Sequence, residues 1–214
     1  MKKRLIFIII ICFLSCSEKK SLQKISQIEK PNIILIFMDD LGYGDIMPFG
    51  SINYETPHIN QLAREGILFT NFYSVQAVCS ASRAALLTGC YSNRIGISGA
   101  LMPYSTIGLN ENEITIAELL KEKGYSTSIF GKWHLGFQEK FLPLNHGFDT
   151  YLGLPYSNDM WPVDFDGNQI SDISNWKKKS YPQLPLIKDF EKIDEIKTLE
   201  DQAKLTTLYT EKSI

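Results

Sequence analysis

The stretch Cys79-Ser80-Ala81-Ser82-Arg83 places a nucleophilic atom and a fixed positive charge four residues apart. Ser80 and Ser82 are helix-start residues, Ala84-Ala-Leu-Leu-Thr88 continues as a helix, and Gly89 is a natural stop. A helix beginning near Ser80 puts Cys79 at its N-terminus, where backbone N–H groups favour negative charge on the sulfur. Arg83 lies about one turn further on and projects on the same side. A nucleophile or an oxyanion site wants that pair. A buried cysteine with an arginine on a solvated face would read the same, and this stretch alone does not choose.

Two more stretches carry reactive types. Asp39-Asp40 follows the apolar run Pro31–Met38. Adjacent carboxylates repel, and a hard cation relieves the repulsion, although paired turn aspartates look identical. Gly131-Lys132-Trp133-His134-Leu135-Gly136 follows Tyr125–Phe130. If the chain stays extended there, Lys132 and His134 point to one side and offer a cation and a titratable base to one pocket. An edge lysine and a hydrogen-bonded core histidine are the plainer alternative.

The elements that must position these groups alternate in type. Pro31–Met38 is continuously apolar and reads as a buried central strand. Thr56 to Gly66 reads as a helix, with Thr56 as cap, Pro57 at the first position and Gly66 as stop. Ile67–Tyr73 reads as a second strand. Residues 109–124 hold the next helix, opened by a Thr115/Glu118 capping box and presenting Leu119 and Leu120 as its apolar face. Tyr125–Phe130 is a third strand. Residues 141–168 read as pocket-shaping loops, Lys177–Lys179 as a solvated basic patch, and Thr198 onward as a helix capped by Thr198-Leu-Glu-Asp201 and burying Leu205, Leu208 and Tyr209. The order predicts an α/β fold: a mostly parallel central sheet sandwiched by helices. Ligands of such sheets bind beyond the carboxyl ends of strands, where the Asp39-Asp40 and Lys132/His134 stretches fall.

The 214 residues are 44% hydrophobic and 21% charged, enough for a sizeable core, and a net charge of −2 gives no nucleic-acid footprint. Residues 1–15 read as an export signal, with Lys2-Lys3-Arg4 ahead of a short apolar run. Phe13-Leu14-Ser15-Cys16 is similar to a bacterial lipobox, which would make Cys16 the lipidated N-terminus; an ordinary signal cleaved nearby is the alternative. Residues 16–30 are a polar tether. Cys79 and Cys90 remain. At opposite ends of a helix they would be more than about 10 Å apart, whereas a disulfide needs Cα atoms within about 7 Å.

Asp39-Asp40, Cys79-x-Ala81-x-Arg83 and Gly131-Lys-Trp-His-Leu-Gly136, in that order, resemble the type I sulfatases of the alkaline phosphatase superfamily. The likeness runs over roughly residues 31–160. It includes Asp40-Leu-Gly-Tyr-Gly-Asp45, Ala84-Ala-Leu-Leu-Thr-Gly89 and Leu152-Gly-Leu-Pro-Tyr-Ser157.

The resemblance implies an alkaline phosphatase-like fold and hydrolysis of sulfate esters. Cys79 is implied as the residue oxidised to Cα-formylglycine (3-oxoalanine), and Ala81 points to a radical-type maturase. Asp39, Asp40 and the modified residue 79 are implied as ligands of one calcium ion. The hydrated aldehyde attacks sulfur with one hydroxyl and expels sulfate with the other, which an ordinary serine could not do. His134 is implied as the base for that second hydroxyl, Lys132 and Arg83 as stabilisers of negative charge, and Ser157, with Lys132, as a substrate contact.

The family's further calcium ligands, a second lysine, a histidine and a smaller domain lie downstream of the matching stretch. Residues 31–214 are therefore expected to be the N-terminal part of a catalytic domain, inactive alone. Two rivals remain: a truncated, non-catalytic surface lipoprotein, and a phosphatase or phosphodiesterase of the same superfamily, against which Cys79 with Arg83 argues. A lipid-anchored protein of the bacterial periplasm or outer-membrane surface, acting on sulfated carbohydrate, fits the export signal.

Overall fold

Two neighbouring residues of one strand, Tyr151 and Leu152, are buried in different apolar clusters. In the computed structural model, which describes residues 30–171 and 176–214, that alternation divides the core into two faces of one sheet. The expected signal, lipid site Cys16 and tether lie outside the described residues, apart from Lys30. The described chain falls into two units that divide after Gly42, the second running from Tyr43 to Ile214.

In the second unit the strands are β1 (Ser128–Phe130), β2 (Thr150–Gly153), β3 (Leu184–Lys188) and β4 (Glu191–Ile196), hydrogen-bonded in that order. β1 and β2 are parallel; β2/β3 and β3/β4 are antiparallel. The α/β class holds, but among the described residues the parallel character stops at the first pair. The β3/β4 pair is antiparallel because the two-residue turn Asp189-Phe190, with Asp189 at φ 58°, can join only antiparallel neighbours. The parallel ladder continues past β1, with Gly131 N–H donating to Leu152 O and Trp133 N–H to Leu154 O, both at 2.9 Å. Gly153 permits this approach: a Cβ there would stand 1.7 Å from Gly131 O.

Leu152, Leu154, Trp161, Leu184 and Leu186 fill one face, with Leu205 of the last helix. Tyr151, Ile187, Trp133, Leu135 and Ala84 fill the other.

The helices of this unit are α1 (Pro57–Glu65), α2 (Cys79–Thr88), α3 (Ile116–Glu122), α4 (Trp176–Lys179) and α5 (Leu199–Ser213). Two caps form as expected. Thr115 and Glu118 exchange side-chain-to-backbone bonds, as do Thr198 and Asp201. Thr56 precedes α1 without capping it; its hydroxyl accepts from Met47 N–H instead, at 3.1 Å. On α3 it is Ala117 that is buried, while Leu119 stays half exposed. The basic patch is also less free than expected, since Lys178 Nζ donates to Val163 O at 2.6 Å.

Two expected strands are absent. Pro31–Met38 and Ile67–Tyr73 carry no regular secondary structure, and Ile34 and Ile67 are 85% and 82% exposed. Apolar composition suits a buried strand, but a strand exists only through pairing, and neither run joins a ladder among the described residues.

Candidate active site

Helix α2 begins at Cys79, one residue before the position expected. Its first bond runs from Ser82 N–H to Val78 O, and Ser82 Oγ donates to Gln76 O, each at 2.9 Å, which fixes the chain leading in. Gly89 closes the helix in the left-handed region (φ 68°), where glycine meets no Cβ penalty. Cys79 is half-buried, and it and Cys90 are both free thiols, as the helix length requires.

From this helix Arg83 reaches across the fold. Its Nη1 donates to the main-chain carbonyl of Lys132 at 2.5 Å. Lys132 in turn donates from Nζ to Ser157 Oγ at 3.1 Å. Three candidates from three separate stretches, Arg83, Lys132 and Ser157, are thus joined in one chain of contacts.

His134 is wholly buried, and its ring Nε2 lies 2.7 Å from Leu101 O. Its N–H donates to Pro155 O at 3.2 Å. The extended geometry expected for residues 132–134 does not form: His134 has φ 58° and Gly131 has φ 111°. Alternation therefore does not set the two side chains, and Lys132 and His134 take different partners. A histidine in the left-handed region is uncommon and marks a position fixed by its surroundings.

Trp133, between them, is the anchor. It is buried, donates from Nε1 to Phe141 O at 2.8 Å, stacks on His146 and meets Phe148 edge-on. His146 is equally buried. Loss of water lowers its pKa below 6.5, against opposing pulls from Glu118 and Glu111. Tyr151 is buried beside the same cluster. Burial holds its phenol well above the usual range, with the Tyr209 charge adding to the rise and the Arg83 charge opposing it.

Ser80 is a residue of this region that the sequence does not mark as functional. Its Oγ accepts from Leu101 N–H at 3.0 Å, and the side chain is wholly buried. A serine in a first helical turn reads as a capping residue, and no sequence signal names a partner 21 positions away.

Asp39 and Asp40 lie in the other unit, at a turn that ends the Pro31–Met38 run, with Asp40 at φ 55°. Carboxylates suit a hard cation, but calcium takes about six to eight oxygens. Among the described residues no three His, Cys, Asp or Glu side chains group as a metal site would need.

The sulfatase family model matches residues 31–206. Bovine arylsulfatase A is 51% identical over 135 residues, covering 62% of this chain and 27% of that protein. Human N-acetylgalactosamine-6-sulfatase is 36% identical over 200 residues, covering 87% of this chain and 36% of that one. Among solved structures, the PsFucS1 sulfatase from Pseudoalteromonas sp. superposes with a TM-score of 0.68 at 32% identity, covering 82% of this chain and 38% of its own. BT4656, solved with its substrate D-glucosamine-2-N,6-O-disulfate, gives a TM-score of 0.60 at 25% identity, covering 87% of this chain and 32% of its own. The chain is thus similar to the α/β, alkaline phosphatase-like fold of these proteins while spanning well under half of their length.

Proposed function

The chain belongs to the sulfatase family, and from that premise we propose that it serves the hydrolysis of sulfate esters on a sulfated carbohydrate. The observation that carries the reading is the contact chain Arg83–Lys132–Ser157, which starts on the helix that Cys79 opens. The 6-sulfatase relative and the disulfated sugar bound to BT4656 support the substrate class.

Each residue has a role that its position supports. Lys132 Nζ, steadied by the Ser157 hydroxyl, supplies a charged donor for a sulfate oxygen. Arg83 is held in plane by the Lys132 carbonyl and brings a second positive charge from the face of α2 that Cys79 shares. Ser157 is a weaker sulfate contact. His134 is the base, and burial keeps water from competing for its ring. Oxidation of Cys79 to Cα-formylglycine by a radical-type maturase would supply a hydrated aldehyde, with one hydroxyl to attack sulfur and another to release sulfate. Cys79 suits that modification, being unpaired in any disulfide, half-buried and at the start of a helix. Calcium belongs to the same proposal, Asp39 and Asp40 being carboxylates of the kind that suit a hard cation. Export and a lipid anchor at Cys16, placing the protein in the periplasm or on the outer-membrane surface, complete it.

The test is mass spectrometry of the peptide spanning Cys79, from the protein made in its native host and treated with a hydrazide. A trapped aldehyde is the expected result. A quantitative free thiol would remove the catalytic claim and leave family membership and fold standing.

A further inference from the structure

Leu101 is gripped from both ends of its own backbone. Its N–H donates to Ser80 Oγ at 3.0 Å, and its carbonyl lies 2.7 Å from His134 Nε2. We propose that Ser80 is a positioning residue for His134, fixing through Leu101 which ring nitrogen holds the proton.

A carbonyl oxygen can only accept, so the 2.7 Å contact requires a proton on His134 Nε2. In the neutral ring the lone pair is then on Nδ1, and Nδ1 is the nitrogen that takes a proton. The choice is only as firm as the carbonyl is still. Ser80 holds it still: the hydroxyl sits on a rigid helix, and Ser80, Leu101 and His134 are 0%, 7% and 0% exposed. Water cannot replace any of the three groups cheaply.

Removing the hydroxyl would leave the buried Leu101 N–H without this acceptor. The Leu101 segment would shift to satisfy it, and the carbonyl would leave Nε2. Ser80 is also next to Cys79, so one helical turn carries both the residue to be modified and the support of the base. This inference rests on the proposed role of His134, but its test reads the ring directly.

The experiment is long-range proton–nitrogen correlation on the full chain with labelled histidine. The chain has three histidines, His58, His134 and His146, so the other two serve as internal controls. In the unaltered protein His134 should show a protonated Nε2 and an unprotonated Nδ1. In Ser80→Ala the ratio of that tautomer to the other should fall about three- to tenfold, the weight of one neutral hydrogen bond, with His58 and His146 unchanged. Ser80→Thr, which keeps the hydroxyl, should restore it. If Ser80→Ala does not fold, Ser80→Cys, whose sulfur accepts weakly, takes its place with the same expectation. A protonated Nδ1 in the unaltered chain, or an unchanged ratio in the folded variant, overturns the proposal. An unmodified Cys79 would remove the catalytic claim and leave this measurement untouched.

Discussion

Arg83 Nη1 donates to the carbonyl of Lys132 at 2.5 Å, tying residues 49 positions apart and joining α2 to the segment that follows β1. The bond uses a planar guanidinium whose donors come in a rigid fork. Arg83→Lys keeps the charge and loses the fork. On the proposed function, and in the full-length protein carrying these residues with rates corrected for aldehyde content at residue 79, kcat/KM on a simple aryl sulfate should fall at least about tenfold, the effect of one charge-assisted bond. Unaltered kcat/KM would show that the Lys132 contact does not position Arg83 for the reaction.

Lys132 and Ser157 separate a charge from its support. Ser157→Ala leaves the ammonium and removes one hydroxyl, so kcat/KM should drop by about tenfold or less. Lys132→Ala removes the charge itself and should cost at least about a hundredfold. Steady-state kinetics on one substrate decide the order. A loss in Ser157→Ala equal to that in Lys132→Ala would make the hydroxyl, and not the ammonium, the main sulfate contact.

The parts of the fold legible in the sequence are those set by local chemistry. Thr115/Glu118 and Thr198/Asp201 close caps within four residues of themselves, and Gly89 ends α2 through its own backbone freedom. The parts set by distant partners were not. Pro31–Met38 has strand composition without a ladder, while β2 lies inside a stretch that reads as loop because Gly153 and the following Leu-Pro-Tyr look like turn residues. The β3–β4 hairpin is hidden in the sequence because Pro185 and the charges of β4 mask alternation. In the site, the residue types of Arg83, Lys132 and His134 were visible. Which atoms they bond was not, because His134 departs from extended geometry and Lys132 offers Arg83 its backbone.

Gly153 tests how tightly the parallel pair is drawn. Its missing side chain admits Gly131 O, which a Cβ would meet at 1.7 Å, with Gly131 C at 2.7 Å. Both are backbone atoms and cannot rotate aside. Gly153→Ala should therefore part β1 from β2 and destabilise the fold by more than about 3 kcal/mol. Urea unfolding measures this. A loss within about 1 kcal/mol would mean that the pair sits further apart in solution.

Tyr151 points the other way. Its hydroxyl is buried with no hydrogen-bond partner among the described residues, and its ring fills the core between Ala84, Trp133 and Ile187. Tyr151→Phe keeps the ring and deletes an oxygen whose desolvation costs about 1–3 kcal/mol. Its stability should stay level or rise by about 1 kcal/mol. A marked fall in urea unfolding would show that the hydroxyl has a partner in solution.

His146 gives the pH dependence its sign. The ring is buried against Trp133, neither nitrogen has a hydrogen-bond partner among the described residues, and burial holds its pKa below 6.5 despite Glu118 and Glu111. Well above pH 6.5 the ring is neutral both folded and unfolded and adds no pH dependence. Below it the unfolded ring takes up a proton that the folded ring resists. Stability should then fall with falling pH, by at most about 1.4 kcal/mol per unit from this one group, and level off once the pH passes the lowered folded value. His146→Leu keeps the site apolar and removes the titration, so its stability curve should be flatter below pH 6.5 than that of the unaltered chain. Urea midpoints taken from pH 7.5 down to pH 5 compare the two. Parallel curves would mean that the folded ring accepts the proton as readily as the unfolded one.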